Sequence, residues 1–107
     1  MPKYLVTGRY NAPAGVQGLL KEGGTGRRDA VAKLIEGLGG KLESMYFAYG
    51  ENDVYAIVDA PDAATMTALS LNINASGAVS LTTVPLITPE EVDLAVKKQV
   101  GYRAPGG

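Results

Sequence analysis

The chain contains no cysteine and no histidine. The first absence excludes disulfides, thiolate nucleophiles and Cys-ligated zinc or iron–sulfur centres. The second removes imidazole bases, His-ligated haem and the usual zinc and non-haem iron sites. Neither a Ser-His-Asp nor a Cys-His mechanism can be assembled from this chain alone. A surplus of one charge is also missing: 10 Lys+Arg against 11 Asp+Glu leave a net charge of −1. Bulk electrostatics therefore favour neither nucleic acid nor a membrane as partner. No apolar run approaches the ~20 residues of a membrane helix, and no hydrophobic signal region precedes the first strand pattern, so the expected location is cytoplasmic. No metal and no cofactor are expected. Any chemistry must rest on carboxylates, Tyr, Arg, Lys or backbone groups.

What is present is ordinary soluble-protein composition: 107 residues, 46% hydrophobic and 20% charged. That is one domain, expected over residues 1–100, with a flexible tail over 101–107. Lys3 to Tyr10 alternates as a strand, Leu5, Thr7 and Arg9 on one face and Tyr4, Val6, Gly8 and Tyr10 on the other. Pro13 suits the first turn of a helix, with Asn11 or Ala12 near its cap. That helix is broken by Gly23-Gly24-Thr25-Gly26 and resumes, with Thr25 as cap, to Leu38 and a terminal Gly39-Gly40. Arg27, Val31, Leu34 and Leu38 share one face of the second piece.

Lys41 to Tyr49 reads as a second strand, with Leu42, Ser44, Tyr46 and Ala48 opposite Glu43, Met45, Phe47 and Tyr49. The turn Gly50-Glu51-Asn52 leads into a third strand from Asp53 to Ala60. Asp62 is a good N-cap for a helix ending at Gly77. Leu69 to Asn74 also alternates with period two, a strand signal in conflict with that helix. Met66, Leu69 and Ile73 keep helical spacing, and the cap decides for helix. Ala78 to Leu86 forms a fourth strand, and Thr88-Pro89-Glu90-Glu91 is a capping box that opens a third helix through about Val100. Two strand-helix-strand units predict an α+β fold, a four-stranded sheet with helices on one face. The second and third strands carry bulky residues on both faces, so the other face needs cover of its own.

The run Gly23-Gly24-Thr25-Gly26-Arg27-Arg28 invites a phosphate-loop reading. It interrupts a helix instead of following a strand, and it lacks the Lys-Ser/Thr end, so a helix kink is the better reading. Two arginines in a first helical turn oppose the helix dipole, which calls for an acidic partner such as Glu43 or Asp53, or for an anionic ligand. Arg9 and Glu43 lie inside strand patterns, as polar groups either in a partly enclosed space or facing solvent. Asp53 is placed to cap backbone amides at the turn. Asn74-Ala75-Ser76 matches a glycosylation sequon that carries no weight without a secretory signal.

Tyr4 to Tyr10 followed by Gly15, Arg27-Arg28, Leu38-Gly39-Gly40-Lys41-Leu42, Gly50 to Asp53 and Pro61-Asp62 resemble the GYD-domain family. The resemblance spans roughly residues 3 to 95. Gly50 and Asp53 match the name-giving motif, whereas Asn52 stands where the family usually has an aromatic. The resemblance implies a ferredoxin-like βαββαβ domain plus C-terminal helix in a dimeric α/β barrel, two sheets from two chains facing each other. That arrangement would cover the second apolar face. The resemblance implies no settled activity.

Three readings follow. The first is a small-molecule-binding homodimer or higher oligomer with an apolar cavity between facing sheets, taking a small apolar or aromatic ligand. Candidate ligand-binding residues are Arg9, Arg27, Glu43, Tyr46, Tyr55 and Asp53. The second is a cofactor-independent enzyme, of monooxygenase or isomerase type, on an aromatic or enolisable compound; Glu43, Asp53 or a Tyr would do its acid–base work, with Arg9 stabilising charge. The third is a structural or assembly protein without ligand.

Overall fold

A computed structural model describes residues 1–107 in the order β1 (Lys3–Tyr10), α1 (Ala14–Gly37), β2 (Lys41–Phe47), β3 (Val54–Asp59), α2 (Ala63–Ala75), β4 (Val79–Leu86) and α3 (Pro89–Val96). The strands form one sheet in the order β2-β3-β1-β4 with every neighbouring pair antiparallel. This is the expected α+β, ferredoxin-like βαββαβ arrangement with an added C-terminal helix. Directly opposed residues share a face, so register assigns the two sides. Leu42, Val58 and Tyr4 lie in one row towards the helices, as do Met45, Ala56 and Val6. The open side carries the rows Ser44–Ile57–Leu5–Val84 and Tyr46–Tyr55–Thr7–Thr82.

Strict alternation along β2 is overturned at one point. The register shifts between Leu42 and Ser44, leaving Glu43 as the extra residue of a bulge. Leu42 therefore joins Met45 and Phe47 on the helix side, while Ser44 and Tyr46 face the open side. Glu43 is drawn outward to Lys3 Nζ at 2.6 Å, and Lys3 also reaches Asp59 at 2.9 Å. The paired carboxylates raise the Lys3 pKa from its ordinary value. Both rims of the sheet are irregular, since β2 carries this bulge and β4 carries Pro85, a residue that edge strands tolerate.

Helix α1 breaks where the glycine run predicts. Gly23 has φ 75° and ψ 173°, a left-handed φ that costs glycine nothing. Gly24 then packs against the Phe47 ring, where an added Cβ would stand 3.3 Å from Cε2. Thr25 makes no side-chain cap, and the N-cap of α1 is Pro13. Asn11 works across the fold instead: its side-chain amide donates to Gly77 O and Ser80 Oγ, and its backbone N–H to Ala78 O. At the other end Gly40 N–H returns to Ile35 O and Gly39 N–H to Glu36 O, the glycine-terminated pattern expected there.

In α2 the helical reading prevails. Asp62 accepts from Thr65 N–H at 2.7 Å, and Met66 and Leu69 are buried. Leu71, which a strand would have placed beside Leu69 and Ile73, is 65% exposed. Asn74 of the sequon accepts from Leu81 N–H, tying α2 to β4. The core gathers Tyr4, Val6, Ala56, Val58 and Ala60 from the sheet side with Met66 and Leu69 of α2 and Ile35 of α1. Ile35 lies outside the stripe that helical spacing singled out.

Helix α3 starts on the expected capping box, Thr88 Oγ1 accepting from Glu91 N–H, but ends at Val96 instead of near Val100. No residue of α3 is buried. It projects as an arm: the radius of gyration is 17.1 Å and the longest dimension 56 Å, against about 13 Å of gyration radius for a compact chain of a hundred residues.

Two expected outcomes test this packing. A Cβ on Gly15 would stand 2.0 Å from Ala78 O, whereas one on Gly18 meets nothing within 4 Å. Gly15→Ala should therefore lower stability by about 1–3 kcal/mol or prevent folding. Gly18→Ala should raise it by about 0.4–1 kcal/mol; chemical denaturation measures both. The second concerns acid. The Thr65 N–H bond lowers the Asp62 pKa, so the cap's contribution is complete above the ordinary aspartate range. It is lost as pH falls through the lowered value. Asp62→Asn keeps a cap acceptor without a charge, so the stability gap between wild type and variant should shrink on acidification.

Candidate functional site

A cleft of about 500 Å³ opens between α1 and α2 above the helix-covered side of the sheet. It exists because the two helices scarcely touch: α1 packs on β2 and β1, and α2 on β4. Small residues leave room along its walls, with Ala14, Gly15 and Gly18 on the first piece of α1 and Ala68 on α2. Leu19, Leu34, Leu38, Leu69 and Ile73 make it apolar, and Tyr10 and Val79 form its floor. A smaller space of about 70 Å³ lies beneath it against Val6, Met45 and Ala56. Tyr10, Arg27, Leu69, Ile73 and Val79 border both spaces.

Arg27 is the polar anchor of this region. Its Nη1 donates to Glu22 at 3.3 Å, an ion pair that straddles the Gly23 kink. Burial works against the charge of the guanidinium, but the Tyr10 hydroxyl and the Glu22 carboxylate outweigh it and raise the Arg27 pKa. No well-formed hydrogen bond closes on Nε, which is shut off from water without a partner. The partner that dipole reasoning demanded is thus Glu22 for Arg27, and Asp29 for Arg28, in place of Glu43 or Asp53. The Tyr10 ring stacks on Phe47 with centroids 6.4 Å apart, which fixes the floor.

The six candidate residues separate into four places. Only Arg27 borders the cleft. Arg9, Tyr46 and Tyr55 lie on the open face, Tyr46 directly across from Tyr55 and Arg9 across from Ser80. Tyr46 is 73% exposed and Tyr55 39%. Glu43 is occupied by Lys3 at the sheet rim. Asp53 has the structural role read from its position: Oδ2 accepts from Tyr10 N–H at 2.8 Å, and its own N–H donates to Gly8 O. Sequence reasoning missed Tyr10, Glu22 and the leucines of the cleft. Their signal was a surplus of apolar residues on α1, more than one sheet-facing stripe needs.

Chemically, the cleft offers desolvation, one guanidinium and two further titratable groups, Tyr10 and Glu22. No three acidic side chains come together to hold a metal ion, and no helix is long and apolar enough to cross a membrane.

A four-stranded antiparallel sheet covered on one face by two helices, with a bare second face, defines the ferredoxin-like class of small α+β domains. Residues 4–96 match the GYD domain family model. The chain belongs to the GYD-domain family. No curated protein and no solved structure matches it.

The pairing of Asp53 with Tyr10 has a measurable consequence. Asp53→Ala leaves the Tyr10 N–H unpaired at the cleft floor and should cost about 1–3 kcal/mol of stability by chemical denaturation. Arg9→Ala, which removes a side chain that makes no hydrogen bond or ion pair within the chain, should stay within about 0.5 kcal/mol of wild type.

Proposed function

We propose that this GYD-domain protein is a small-molecule-binding homo-oligomer, in which the α1–α2 cleft takes a compact, largely apolar ligand and the open sheet faces bring copies together. The observation that carries the reading is the cleft itself. Its volume of about 500 Å³ falls within the range of ligand pockets, and its lining combines an apolar wall with a single half-buried arginine. A ligand with an aliphatic or aromatic body gains by leaving water there, and a hydrogen-bond acceptor on it is oriented by Arg27. The open face supports association: Leu5, Ile57, Val84 and Leu86 form an apolar field bordered by Tyr46 and Tyr55. A homo-oligomer that buries this field would also enclose the space between sheets, with Arg9 at its end.

Binding is favoured over catalysis because the two carboxylates considered for acid–base work are engaged in structure, Glu43 by Lys3 and Asp53 by Tyr10 N–H. Native mass spectrometry of protein purified from its own host reports subunit number and any retained molecule together. Ala68→Phe, which fills the cleft from an exposed helix position, should abolish retention without lowering the subunit number. Arg27→Met should weaken retention at least about tenfold, the equivalent of one lost charged hydrogen bond. Retention that survives Ala68→Phe would overturn the cleft as the site.

A further inference from the structure

Helix α3 is a contradiction in the single chain. Its beginning is securely specified by the capping box, by Pro89 at N1 and by acidic residues in the first turn. Yet a helix of two turns is too short to persist in water on its own strength. Nothing in its own chain supports it, since none of its residues is buried and Val92 and Val96 are 47% and 75% exposed. Val92, Ala95 and Val96 stand three and four residues apart and form one apolar stripe. Such a stripe needs a surface that this chain does not provide.

The charges beside the stripe identify that surface. Glu91 and Lys98 flank it on one side, Asp93 and Lys97 on the other, acid before base in both cases. The turn continues through Lys97 and Lys98, whose N–H groups donate to Leu94 O and Ala95 O. A second α3 laid antiparallel on the stripe brings its own bases opposite these acids and its acids opposite these bases. A parallel arrangement would set like charges together. This self-complementarity is the property of a two-fold contact between identical copies.

We infer that α3 is a clasp by which two copies of this chain grip each other antiparallel. Ala95 sits near the two-fold axis, where its small side chain lets the helices approach. Glu91 and Asp93 of one copy face Lys98 and Lys97 of the other. Three small apolar residues per copy bury far less than the about 800 Å² per partner of a stable complex. The clasp therefore adds to an association held by the open sheet faces, and in that respect it rests on the proposed homo-oligomer.

The cysteine-free chain allows a direct test. A single Ala95→Cys should form an intermolecular disulfide under mild oxidation at least about tenfold faster than Gln99→Cys. The two Gln99 positions would lie on opposite sides of the axis, beyond the about 7 Å between Cα atoms that a disulfide can span. In the Ala95→Cys background, a basic arm (Asp93→Lys) and an acidic arm (Lys97→Glu), which leave the Glu91 cap intact, should each lose this advantage. Mixing the two should restore it. Analytical ultracentrifugation of the same proteins separates the possible failures. Associated protein whose Ala95→Cys and Gln99→Cys variants cross-link alike overturns the clasp and leaves the sheet pairing intact. Wild type that is monomeric at every concentration overturns both.

Discussion

The governing constraint is that the two central strands are apolar on both faces while the chain has helices enough for one. β1 and β3 direct Tyr4, Val6, Ala56 and Val58 into the core, and the same strands direct Leu5 and Ile57 the other way. Alternation along a strand leaves no freedom to hide both sets beneath α1 and α2. Everything else is arranged around that imbalance. The helices gather on the side where glycine permits close contact, at Gly15 against Ala78 and at Gly40 against Asp59. The other side is left without cover from its own chain.

On the covered side, the same economy produces the cleft. A helix long enough to span the sheet must change direction to follow its twist, and the break at Gly23 supplies that change. The two pieces of α1 then diverge from α2, and the space between them is lined by residues that are neither core nor ordinary surface. Arg27 is held there by Glu22 from the opposite side of the kink, so the bend and the polar anchor are parts of one local arrangement.

Much of this was legible in sequence. The order of elements, the face assignments along β1, the Gly23 break, the Asp62 cap and the capping box at Thr88 all follow from local rules that operate within a few residues. The exceptions share a cause. The bulge at Glu43 sets its carboxylate against Lys3, forty positions away, and nothing within β2 announces it. Thr25 and Asn11 have the composition of caps, but Asn11 is taken by Gly77 and Ser80 across the fold. The open-face residues Arg9, Tyr46 and Tyr55 were placed on strands from alternation, though the bulge changed which β2 neighbours share their side. The cleft was invisible because it is a gap, defined by where two helices fail to meet. Glycine and alanine on both walls record it only after the walls have been found.

The irregular rims have a consequence for how this domain can assemble. A flat antiparallel sheet with an exposed oily surface is a hazard, since strands from neighbouring molecules can extend it indefinitely. Here the lone backbone nitrogen of Pro85 and the outward jog at Glu43 interrupt lateral templating at the two borders. Growth by strand addition is thereby discouraged while the open face is uncovered. The proposed association through the broad surface would instead end after a fixed number of copies.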